Sequence, residues 1–219
     1  SRRRMVALLS RRDQKVEWQL PDENENKVTL EDAIGNLPPL DPFVKDIDEN
    51  EFREMFPEYE KKKEIAKKVS IWHQPPAHIK RQVVTMIHTP TGKTAFDNKK
   101  YIPRKEDGTA VKGYKSTYRR LRWIDPASTV TMDNRKISSQ NNVHPGHYLG
   151  KDENGDVVYS DPRVLSLFEL MRVMSLPDDW PLPPNANVAF VRSVIGEGIP
   201  PLFVKKVFEK ITTVGDEYA

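Results

Sequence analysis

A mixed α and β fold is predicted by three features of the chain. An apolar run and an alternating segment stand near its start, apolar residues recur at helical spacing near its end, and 18 prolines outnumber 10 glycines. Apolar residues at period 2 mark strands and at period 3.6 mark helices. Proline removes a backbone donor and stops both, so long irregular connections are expected between the elements. With 37% hydrophobic residues and four Trp over 219 positions, the chain has enough apolar matter for a core.

Met5 to Leu9 is unbroken apolar sequence, and Lys15-Val16-Glu17-Trp18-Gln19-Leu20 alternates, so the pair reads as a hairpin with one buried and one half-exposed strand. Thr29, with Asp32 three residues on, reads as the N-cap of a short helix closed by Gly35. Glu49 to Lys68 reads as helix interrupted at Pro57, its acids preceding its lysines on a solvent face. Trp72 to Tyr101 shows little periodicity. Its Gly92-Lys93-Thr94 imitates the end of a phosphate-binding loop, but Ile87 stands where that loop needs glycine. Tyr101 to Tyr148 is basic, aromatic and rich in Gly, Asn, Ser and Pro, which suggests short strands and exposed loops. Leu165, Phe168, Leu170, Met171 and Met174 then predict an amphipathic helix over Ser166–Ser175, with Ser166 as N-cap, Glu169 completing a capping box and Pro177 ending it. Pro200 and Pro201 head a last helix running through Leu202 to Ile211.

The formal net charge of +3 conceals a division along the chain. Asp22 to Glu64 holds 14 acidic and 6 basic residues, whereas Lys99 to Lys136 holds 11 basic and 4 acidic, so only the second stretch attracts phosphate. Cysteine is absent, which excludes disulfides, thiolate metal sites and a cysteine nucleophile within these residues. No apolar run approaches the ~20 residues that span a bilayer, and the first residues are too short an apolar stretch for a signal peptide. The chain is accordingly read as soluble and intracellular. Because it opens on Ser1 and three arginines rather than on Met, it is also read as part of a larger protein.

Three clusters carry potential chemistry. Tyr114 to Trp123 interleaves Lys115, Arg119, Arg120 and Arg122 with aromatic and hydroxyl groups, a combination that binds phosphate and stacks on or reads bases. The same run would also suit a basic strand with buried Tyr and Trp faces. Gly196-Glu197-Gly198-Ile199-Pro200-Pro201 reads as a glycine-rich turn opening a helix, where free N–H groups could meet an anion or a polar cofactor group. His144 and His147 flank a Pro-Gly turn that reads better as a loop than as a zinc site.

In order along the chain, these segments resemble the cytosine-5 DNA methyltransferase family. Ser1-Arg2-Arg3-Arg4-Met5-Val6-Ala7 is similar to its eighth motif, a Gln-x-Arg-x-Arg run entering a strand. Tyr118 to Thr131, followed by Asn142-Val143-His144-Pro145, resembles the late recognition region. Arg163 to Asp178 is similar to the ninth motif, with its Arg, Glu and terminal Leu-Pro, and Val194 to Pro201 is similar to the tenth, with Glu197 at the usual Asn position. The resemblance implies a chemistry in which a Cys attacks cytosine C6 after the base is flipped from the duplex, and C5 takes the methyl group of S-adenosylmethionine.

On this resemblance Arg2 and Arg4 become catalytic-pocket residues, Arg4 against the base O2, and Gly196, Glu197, Gly198 and Ile199 become the cofactor wall. Double-stranded DNA is the expected partner, contacted through Lys112, Lys115, Arg119, Arg120 and Arg122. The implied fold is the carboxy-terminal portion of a methyltransferase Rossmann-like sheet domain, residues 1–20 and 161–219, around a small irregular α+β target-recognition domain, residues 21–160. The motifs bearing the Cys nucleophile and the cofactor glycines are missing, so an amino-terminal half is the second expected partner and this chain alone is expected to be inactive. The implied setting is a prokaryotic cytoplasm, at the nucleoid. A different reading keeps the DNA contacts and drops the reaction, making the chain a non-catalytic DNA-binding or regulatory module.

Overall fold

The structure, a computed structural model, describes residues 6–13, 16–22 and 27–213. The described residues form a mixed α and β architecture with three two-stranded sheets. In chain order the elements are β1 (Val16–Trp18), α1 (Leu30–Ile34), β2 (Phe43–Val44), α2 (Glu49–Met55), α3 (Tyr59–Val69), β3 (Ala77–His78) and α4 (Lys80–Ile87). After a long irregular stretch come β4 (Tyr148–Lys151), β5 (Val157–Tyr159), α5 (Leu167–Val173), α6 (Val188–Glu197), α7 (Pro201–Phe208) and β6 (Ile211–Thr213).

Local signals placed several of these well. Thr29 accepts from the Asp32 N–H while Asp32 bonds back to the Thr29 N–H, a reciprocal capping box, and Gly35 closes α1. Ser166 and Glu169 cap α5 in the same way. The expected Glu49–Lys68 helix is divided at Pro57 into α2 and α3. The opening hairpin does not form. Residues 6–10 adopt no strand, Leu9 is 83% exposed, and β1 pairs antiparallel with β6, Val16 opposite Thr213 and Trp18 opposite Ile211. The two segments are tied by side chains: the Trp18 indole donates to Ser10 Oγ at 2.9 Å, and Ser10 Oγ donates to the Val16 carbonyl at 3.1 Å. One helix, α4, stands where the sequence showed little periodicity, and another, α6, where no element was read. The stretch from Tyr101 to His147 contains isolated bridges and turns in place of the expected short strands.

The centre of the molecule is α5. Leu167, Phe168, Glu169, Leu170 and Met171 are all buried, so this helix is enclosed on every side and is not amphipathic as its spacing suggested. One apolar cluster joins Leu170 and Leu165 to Leu30 and Ile34 of α1 and to Leu121. Another joins Phe168, Met171 and Met174 to Ile195 of α6. Core contacts therefore cross the chain position, near residue 160, at which a domain boundary was expected.

Candidate DNA and cofactor surfaces

Around α5 lies a buried polar network that joins it to distant parts of the chain. Arg163, fully buried, forms a fork with both carboxylate oxygens of Glu169 at 2.7 and 2.9 Å, reaches Asp161 Oδ1 at 2.8 Å, and donates to the carbonyls of Leu40 and Val164. Burial alone would raise the carboxyl pKa of Glu169, but the Arg163 charge, the hydrogen bonds from Arg163 and the nearby His144 and His73 together outweigh it and hold the pKa at about 2. Asp161 is held below its ordinary range, against its burial, by the charges of Arg163 and, when protonated, His144, and by bonds from the Leu40 N–H and Ser160 Oγ.

His144 sits between these acids, 3.7 Å from Glu169 and 4.0 Å from Asp161, yet burial drives its pKa down to about 4 and keeps it neutral. Its Nδ1 accepts the Gly146 N–H at 3.1 Å, which leaves the ring proton on Nε2, facing Glu169. His73 is fixed in the same manner. Its Nε2–H donates to the Pro38 carbonyl, and its Nδ1 accepts a hydrogen bond from the Ser166 hydroxyl while Ser166 Oγ accepts from the Glu169 N–H. Among the described residues no group of His, Asp and Glu is arranged to hold a metal ion.

Arg120 corrects the expectation placed on it. It is fully buried, and its guanidinium donates to the carbonyls of Met86, His144 and Asp161, so it cannot reach a DNA backbone. Tyr118, Arg120 and Leu121 are buried while Arg119 is half-buried and Arg122 exposed, so Arg120 falls on the inner side with Tyr118 and Leu121. Gly146 makes room for it, since a Cβ at that position would lie 2.4 Å from Arg120 Nη1, in a backbone at φ +65°. The other four cations keep some exposure. Lys112 is exposed, Arg119 is half-buried, Lys115 pairs with Asp97 at 3.0 Å, and Arg122 pairs with Asp125 at 3.3 Å. Trp123 is stacked on His147, ring centres 4.9 Å apart, and its indole N–H donates to the Gly146 carbonyl.

The segment from Gly196 to Ile199 also differs from its sequence reading. Gly196 and Glu197 end α6 and do not open a helix, and the Gly198 N–H donates to the carbonyls of Val194 and Ile195. Proline caps α7 and begins it, and the first free donor there, the Leu202 N–H, bonds Ser175 Oγ. No anion cradle of backbone donors results. Gly196 instead permits a close packing, because a Cβ on it would stand 2.3 Å from the Thr131 carbonyl oxygen. What the junction presents outward is the side chains of Glu197 and Ile199.

Arg2 and Arg4 lie outside the described residues. The network of Arg120, His144, Asp161, Arg163 and Glu169 was not identified from the sequence. The Arg and Glu of the ninth-motif segment were its visible signal, without a role attached.

The model of the C-5 cytosine-specific DNA methylase family matches residues 1–213. The Type II methyltransferase M1.HgaI of Avibacterium volantium is 42% identical over 209 residues, 95% of this chain and 51% of that protein, so the chain spans about half the length of the curated relative it matches. These two similarities, one over nearly the whole chain and one at 42% identity, have one reading: the chain belongs to the C-5 cytosine-specific DNA methylase family.

Proposed function

We propose that the chain is the recognition-bearing part of a DNA (cytosine-5-)-methyltransferase, which transfers a methyl group from S-adenosylmethionine to C5 of cytosine in duplex DNA, with the cysteine nucleophile supplied from outside these residues. The observation that carries the proposal is the Arg163 network. It locks the ninth-motif helix to carbonyls of the recognition stretch as far away as Leu40 and, through Asp161, to Arg120. A surface held this firmly is suited to present Lys112, Lys115, Arg119 and Arg122 to a duplex in one geometry.

In this reading residues 1–20 and 161–219 belong to the sheet domain, and the pairing of β1 with β6 supports that grouping. Arg2 and Arg4 would stand at the target cytosine, where a fixed cation stabilises negative charge developing on the ring. S-adenosylmethionine supplies the activated methyl group. The donor set at the α6–α7 junction fits it: the exposed Glu197 carboxylate complements a cationic amino group, and Ile199 offers an apolar surface. Gly196 acts by packing.

The partner carrying the nucleophile would cover the apolar face of α6 and α7. Trp180, Phe190, Val194 and Ile199 line an open apolar cavity of about 470 Å3, and Leu202, Phe203 and Phe208 are exposed nearby in sequence. Exposed apolar surface of this extent marks an interaction site.

The test is transfer of labelled methyl from S-adenosylmethionine into duplex DNA. This chain alone should transfer none, and the protein restored with the family's amino-terminal motifs should label cytosine. Incorporation by the chain alone, or none by the restored protein, would overturn the proposal. DNA binding without transfer by the restored protein would favour the non-catalytic module.

A further inference from the structure

A second cationic surface, with cations other than those of the 112–122 segment, adjoins that segment through Gln82, whose Nε2 donates to Tyr118 Oη at 3.4 Å. β3 and α4, the 131–136 loop and the start of α6 enclose a cleft of about 620 Å3, a volume in the range that small ligands occupy. Lys45, Arg135, Lys136 and Arg192 line it, the neighbouring apolar wall includes Val164 and Leu167, and none of its lining residues is Asp or Glu. A cleft with one sign of charge and apolar walls concentrates counter-ions, here anions.

The cleft is also built to keep its shape. Arg192 is buried, and its guanidinium holds Asn134 through the side-chain oxygen at 2.8 Å and the carbonyl at 2.7 Å. Asn134 Nδ2 returns bonds to the carbonyls of Thr131 and Arg192. The loop is thereby clamped to α6, with Arg135 and Lys136 exposed at its end. Lys136 is engaged by Asp133 at 3.1 Å, which leaves Arg135 and Lys45 as the cations best placed to meet a ligand. Gln74 and Gln82 add amides whose Nε2 groups each donate one bond within the protein, to the Ile71 carbonyl and Tyr118 Oη, which fixes the side chains and leaves each a second N–H and a carbonyl oxygen, the pair that reads a base edge.

We propose that this cleft binds one nucleotide of the DNA, its phosphate on Arg135 and Lys45 and its base within reach of the Gln74 and Gln82 amides, so that Arg135 is a DNA contact separate from the 112–122 cations. The inference rests on the DNA methyltransferase reading.

The experiment uses the full-length protein and a fluorescent duplex containing the site it methylates, with anisotropy titrations over a range of salt. Each phosphate contact contributes about 0.9 to the slope of log K against log salt. Arg135→Ala and Lys45→Ala should each make the slope shallower by about one unit, Arg135→Lys should restore most of it, and Lys61→Ala, on the exposed face of α3, should leave it unchanged. Replacing single phosphates by neutral methylphosphonates should identify one whose neutralisation weakens the wild type and has no effect in Arg135→Ala. Wild-type slope in Arg135→Ala, an equal loss in Lys61→Ala, or the absence of such a phosphate would overturn the inference. If the wild type itself shows no salt-dependent DNA binding, the DNA reading has failed rather than this cleft.

Discussion

Replacing Arg163 by Met would leave Glu169 and Asp161 buried without a counter-charge, and removing one partner from such a group costs about 3–5 kcal/mol. Urea unfolding should show a loss of that size, whereas Lys61→Ala, whose partner Glu58 lies in water, should change almost nothing. Gly196→Ala addresses a different constraint. Its methyl would meet the Thr131 backbone, which cannot rotate aside, and overpacking of this kind costs about 1–3 kcal/mol.

The network also sets a pH dependence. His144 and His78 are buried neutral, with pKa values lowered by burial to about 4 and about 3 from 6.5, so the unfolded chain takes up protons first. Their contribution to stability is full above pH 6.5 and declines as pH falls towards 4. Glu169, lowered to about 2, begins to lose its contribution only below its ordinary value of 4.5. The urea midpoint should therefore be level above pH 6.5, decline below it and steepen below 4.5. A midpoint that rose between pH 6.5 and 5 would contradict the burial of neutral His144.

At the scale of elements, α5 depends on its cap as much as on its apolar side chains. Ser166→Ala would remove the Oγ that accepts from Glu169 N–H and donates to His73, so thermal melting should fall by the equivalent of about 1–2 kcal/mol. The caps of α1 and α5 and the break at Pro57 were legible because they are local chemistry: a hydroxyl three residues before an acid, or a missing N–H, acts whatever the surroundings. The burial of α5 on every side was not legible, because the covering residues, Ile195 and Leu30 among them, lie far away in the sequence. Arg120 was misplaced for the same reason. A cation among cations reads as surface until Met86, His144 and Asp161 bring their carbonyls to it. The pairing of β1 with β6, almost 200 positions apart, carries no signal in either segment, whereas the Gly196 region was found by motif order but assigned a turn chemistry that its helix does not provide.

For the whole molecule, the charge division and the apolar face predict separate behaviours. Phe190 and Val194 are exposed, so Phe190→Asp with Val194→Asp should leave the melting of this chain near its wild-type value while abolishing its co-purification with the proposed amino-terminal partner. Retained co-purification would remove that face from the proposed interface. The Arg163 network carries one more consequence, for exchange between relatives. A recognition segment is attractive as a transferable cassette, but here the guanidinium on one side of the chain's midpoint is satisfied by the Leu40 carbonyl on the other, and Arg120 by Met86, His144 and Asp161. A graft that changes the path of any of these backbones strands a buried cation, so working chimeras should be those whose donor segment carries its own acceptors along with its contact residues.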